Sequence, residues 1–108
     1  MTYKRFELTA FAYDKRGKLL AYGENSYRKT HPLMKHFSSM CGHEHKIYLH
    51  AEVQALIRAG EQKVHRLVVK RYGADGRPLL AKPCEVCQKA IEAFGVSVVE
   101  YTENGKDV

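Results

Sequence analysis

The chain has 108 residues, an apolar share of 44% and 18 basic residues against 12 acidic ones, a net charge of +6. That length suits one compact domain over residues 1–108 with a small core, to which a bound metal or a partner subunit would add stability. No stretch reaches the roughly 18 apolar residues that span a bilayer, and the opening Met1–Glu7 lacks the apolar run of a secretion signal, so no membrane partner and a cytoplasmic location are expected.

The first third reads as a hairpin. Phe6, Leu8, Ala10 and Ala12 alternate with polar neighbours, Asp14 to Gly17 supply a turn, and Lys18 to Gly23 form the return strand. A helix is expected from about His31-Pro32, because proline is well placed where the helical N–H has no partner; Leu33, Phe37 and Met40 follow at helical spacing. Residues 41–46 read as a loop. A second helix spans about His50 to Ala59, with Val53, Leu56 and Ile57 on one face and Gly60 as its stop. Val64 to Arg71 reads as a strand, and a loop from Gly73 runs to Pro83. A third helix runs from about Cys84 to Phe94, Gly95 ends it, and Val96 to Tyr101 form another strand. Asn104-Gly105 is a tight-turn signal that predicts a last segment pairing back on the sheet. The sum is an α/β chain, a three-layer sandwich with helices packed on a mixed sheet of about five strands. The strands at 64–71 and 96–101, joined through a helix, should run parallel.

Three cysteines are an odd count, which argues against a disulfide framework. Cys84 and Cys87 stand at i and i+3, on one side of the first turn of the third helix, where free N–H groups and the positive helix end favour thiolates. The alternative for such a pair alone is redox chemistry. His50 opens the second helix with Ala51 and Glu52 behind it. If both helices aim their N-termini at one point, His50, Cys84 and Cys87 make a three-ligand zinc site with the fourth tetrahedral position left for water, the arrangement of catalytic rather than structural zinc.

His50-Ala51-Glu52 followed by Pro83-Cys84-Glu85-Val86-Cys87, with a helix, a strand and a loop between, resembles the H-x-E and P-C-x-x-C signature of the cytidine deaminase-like superfamily. The resemblance covers nearly the whole chain. It implies one zinc ion per chain on His50, Cys84 and Cys87, and a metal-activated water that attacks C4 of a cytosine, or C6 of an adenine. It further implies Glu52 as a proton shuttle that does not touch the metal. Asn25, just after the second strand, looks like the asparagine with which such enzymes contact the sugar or base, and the backbone of Ala51 is implied as a base contact. Arg28, Lys29 and His31 follow closely and suit a phosphate, or equally a solvated helix start.

The substrate stays open at this level. A cytosine nucleoside or nucleotide fits the short chain best. A base within tRNA or single-stranded DNA is the alternative, supported by the positive charge but not by the Leu79-Leu80-Ala81-Lys82 stretch before the proline or by the lack of tryptophan. In a third reading Cys41, His43 or His45 completes a four-ligand structural zinc, and the chain is a binding module and not an enzyme. Family members are often dimers or tetramers, so a homo-oligomer is expected.

Overall fold

The computed structural model describes residues 7–26, 28–42 and 48–108; Phe6, Tyr27, His43 and His45 lie outside them. The element order is β1 (Glu7–Tyr13), β2 (Leu19–Glu24), α1 (Pro32–Met40), α2 (Ala51–Ala59), β3 (Arg66–Tyr72), α3 (Glu85–Ala93) and β4 (Val98–Tyr101). Four strands in the order β2-β1-β3-β4 make one mixed sheet among the described residues, where about five were expected. β1 pairs antiparallel with both β2 and β3, and β3 pairs parallel with β4, as the intervening α3 requires.

Alternation along β1 decides which face is buried. Ala10 and Ala12 stand opposite Val69 and Leu67 of β3, and all four are inaccessible to solvent. They join Val53, Ala55, Leu56, Val86, Ala90 and Ile91 from the helices in one core. α1 contributes Met34 and Phe37 and lies against α3. On the other face Phe11 stacks at a tilt on Tyr22, and Arg66 and Lys70 lie over the rings of Tyr13 and Phe11. The side chain of Glu100 there pairs with Arg66 at 3.2 Å and is well exposed.

The joint between β2 and α2 is unusually close. A Cβ at Gly23 would sit 2.7 Å from the backbone nitrogen of Ala55 and closer still to the carbonyl of Ala51, so only glycine lets the strand touch the helix backbone. α2 also covers the free edge of β2. The Gln54 side chain accepts from the N–H of Glu24 at 2.9 Å, and Arg58 donates to the carbonyl of Tyr22 at 3.0 Å. Gly60 ends α2 at φ +64, where its lack of a side chain permits the left-handed turn.

At the far end of the chain the Asn104-Gly105 turn closes through Glu103 and Lys106. Its neighbours do not add a sheet strand. They bind the segment that leads from β3 towards α3 instead.

Candidate metal centre

The N-termini of α2 and α3 converge, and the residues at their caps supply the site. His50 is the N-cap of α2 and Cys84 the N-cap of α3, and neither makes a side-chain capping bond. The two turn towards each other. His50 Nδ1 stands 3.3 Å from Cys87 Sγ and 3.6 Å from Cys84 Sγ, and the three ligand atoms lie within 4.8 Å of one another. Metal–sulfur and metal–nitrogen bonds of zinc length at the tetrahedral angle put N and S about 3.5 Å apart, so the donor set fits zinc with little rearrangement. It consists of one imidazole and two thiols, which is zinc chemistry rather than that of a hard cation.

The proton distribution in this cluster follows from geometry. The Cys87 thiol and the imidazole of His50 hydrogen-bond the sulfur of Cys84 and hold it as a thiolate, with its pKa down to about 3. The proton stays with Cys87, pushed well above the usual thiol range by that same bond and by burial. Glu52, one residue inside the first turn of α2, is 4% exposed. Burial raises its carboxyl above the ordinary range, while a backbone hydrogen bond and His50 work the other way; its carboxylate also meets Cys87.

Asn25 has a task that its position alone did not disclose. Its side-chain oxygen accepts the N–H of Ala51 at 2.8 Å. It thus satisfies one of the orphan donors that His50, as N-cap, leaves open. This occupies the Ala51 N–H and commits the Asn25 oxygen to the helix, so the amide NH2 is the group it can offer a ligand. Arg28 and Lys29 join Asn25 in a cavity of about 720 Å3, whose wall also includes Tyr22, Gln54 and Arg58. Arg58 was missed in the sequence; the available signal was its place one turn after Gln54 on the helix that carries His50-Ala51-Glu52. His31 is not part of that wall. It caps α1 by accepting the N–H of Leu33 through Nδ1 at 3.1 Å. Cys41 closes α1 and points its sulfur at the carbonyl of Glu85, 3.8 Å away, outside the three-ligand group.

A family model for the cytidine and deoxycytidylate deaminase zinc-binding region matches residues 1–103. The chain belongs to this family. Among solved structures, cytidine deaminase from Mycobacterium tuberculosis superposes with a TM-score of 0.52 at 21% identity, over 94% of this chain and 74% of that one. A mutant form of the same enzyme gives 0.51 at 21% identity, over 94% and 75%. At that identity the likeness is one of fold. No curated protein matches the chain in sequence. As a member of this family the chain carries a site for one zinc ion, formed at the ends of α2 and α3.

Proposed function

We propose that this deaminase hydrolyses the exocyclic amine of a cytosine nucleoside or nucleotide, giving the uracil form, with zinc on His50, Cys84 and Cys87 and Glu52 as proton carrier. The observation that carries the reading is the buried carboxyl of Glu52 set against a zinc-shaped triad of one nitrogen and two sulfurs. When bound, zinc supplies a Lewis acid that brings the pKa of water towards neutrality. Glu52 takes a proton from the attacking water and gives it to the ring nitrogen beside C4. It then carries the second proton to the amine, which leaves as ammonia. A carboxyl raised by burial suits a group that must both accept and release protons near neutral pH.

Asn25 fits a sugar hydroxyl or base edge through its NH2, while its oxygen keeps the start of α2 in place. Arg28 and Lys29 suit a 5′-phosphate at the cavity rim, with Arg58 beside them. The same rim and the net charge of +6 favour, as second reading, a base within tRNA or single-stranded nucleic acid. The proposal takes residues 1–108 as one deaminase domain acting in the cytoplasm as a homo-oligomer. No helix among the described residues is long and apolar enough to cross a membrane.

The test is ammonia release from a panel of cytidine, deoxycytidine, their monophosphates, adenosine, guanine and single-stranded oligonucleotides. We expect turnover of a cytosine monomer. Turnover of oligonucleotides alone would put the second reading in its place. Glu52→Ala should fold, keep one zinc per chain and lose turnover by a factor of at least about 100; retained activity would remove the shuttle.

A further inference from the structure

Four hydrogen bonds tie the C-terminal turn to the segment just ahead of the Cys84 ligand. The N–H of Ala81 donates to the carbonyl of Thr102 at 2.9 Å, and the hydroxyl of Thr102 donates to the carbonyl of Leu79 at 2.6 Å. The N–H of Leu80 donates to the Asn104 side chain at 2.9 Å, and the N–H of Gly105 to the carbonyl of Pro78 at 2.9 Å. Each residue from 78 to 81 is therefore held by this turn, and Leu79 is also tied to β3 directly, its N–H donating to the carbonyl of Arg71 at 2.9 Å. Thr102 is also fixed to the sheet. Its N–H donates to the carbonyl of Val69, and its hydroxyl accepts the N–H of Arg71 at 3.0 Å. Its side chain is wholly buried.

A buried hydroxyl serving two backbone groups on different segments is costly to lose, because each partner is left without water to replace it. Only Lys82 and Pro83 separate Ala81 from Cys84. Pro83 fixes its own φ and is buried, and its carbonyl accepts from the Gln88 side chain at 2.8 Å. The link has little slack, so a shift of residues 79–81 becomes a shift of the Cys84 sulfur. Metal–ligand distances fall within about 0.2 Å of their usual values, so a small shift of the sulfur matters.

We infer that Thr102 is a positioning residue for the metal centre: together with the Leu79–Arg71 backbone bond, its buried hydroxyl fixes residues 79–81 to the end of β3 and thereby sets where Cys84 presents its thiolate. The inference rests on the ligand assignment proposed above. It differs from a general stabilising role in acting on the metal more than on the fold.

The experiment compares the parent chain with Thr102→Val, Thr102→Ser, Asn104→Ala and Val64→Ala. Val64 is a core residue outside the clamp. Zinc affinity is read by chelator competition well below the melting temperature, and the geometry by the cobalt(II)–thiolate absorption of the metal-substituted protein. Thr102→Val should weaken zinc binding at least tenfold and alter the cobalt spectrum, and Thr102→Ser should restore both. Asn104→Ala, the fallback if Thr102→Val does not fold, should shift both readouts in the same direction by a smaller factor. Val64→Ala should lower the melting temperature and leave both readouts unchanged. Parent-like affinity and spectrum in Thr102→Val overturn the inference, as do parent-like values in Asn104→Ala where the valine variant does not fold. So does a Val64→Ala loss of affinity that scales with its loss of stability. A parent chain that binds no zinc overturns the proposed function and the inference with it; zinc bound equally by parent and variants overturns the inference alone.

Discussion

Two helices of this chain begin with a histidine at the N-cap, and the two histidines do opposite things. His31 turns inwards on its own helix and accepts the N–H of Leu33, so α1 is closed by its own cap residue. His50 makes no such bond. It turns away towards Cys84 and Cys87, and α2 receives its cap from outside, from Asn25 at the end of β2. α3 shares the first half of that pattern: Cys84, its cap residue, makes no side-chain capping bond and stands beside His50 instead. The contrast teaches that a helix start becomes a ligand platform when its cap residue is released from capping and another segment takes over the orphan N–H groups.

The comparison can be broken most forcefully at His50. His50→Asn installs a better N-cap. Zinc content measured by mass spectrometry should nevertheless fall from one per chain towards none, and turnover should vanish; retained zinc would mean that the metal does not depend on this ring. Gly23→Ala attacks the support instead. Its Cβ would meet the backbone of Ala51 and Ala55 and the Cβ of Gln54, none of which can swing aside, and the cost should reach about 3 kcal/mol, the upper end for overpacking. Thermal melting should show a drop of more than about 10 °C, whereas an unchanged melting temperature would refute the close approach.

The pH dependence of zinc affinity sharpens the same contrast. Without metal the thiol pair keeps one proton, on Cys87, while Cys84 is already a thiolate with a pKa of about 3. Binding expels that proton, so the metal-bound form holds fewer protons and is favoured as pH rises. Affinity should fall by about tenfold per pH unit on acidification from neutrality, measured by chelator competition. A flat profile would contradict the proton assignment. Asn25→Asp separates its two tasks. The carboxylate still accepts the Ala51 N–H, so the melting temperature should hold within a few degrees, but the NH2 donor is lost and KM should rise about tenfold or more. The smallest effect belongs to His31→Asn, which keeps a capping group. Stability should change by less than about 1 kcal/mol and turnover should stay the same. A large loss of activity there would give His31 the substrate role that its neighbourhood in the sequence suggested.

The elements and the metal triad were legible because periodicity and motif spacing are local. Each helix matched within a residue or two, and the unmatched residues are the caps themselves: His50 and Cys84 lie just outside α2 and α3. The parallel pairing of β3 with β4 followed from the helix between them. What could not be read were long-range polar contacts. Thr102 looks like an ordinary strand threonine until Leu79 and Arg71 are seen around its hydroxyl. Arg58 looks like a basic residue in a helical last turn until the carbonyl of Tyr22 is found beside it. Gly23 reads as the end of a strand, and nothing local announces the helix backbone lying against it. Such contacts depend on chain crossings that no single stretch records.

The side chains of Gln54 and Arg58 carry one more consequence. By occupying the outward N–H of Glu24 and the outward carbonyl of Tyr22, they take from β2 two of the groups with which it could recruit a strand from another molecule. Growth of the sheet by accretion is therefore opposed on this side, against the ribbon-like self-association that open borders invite.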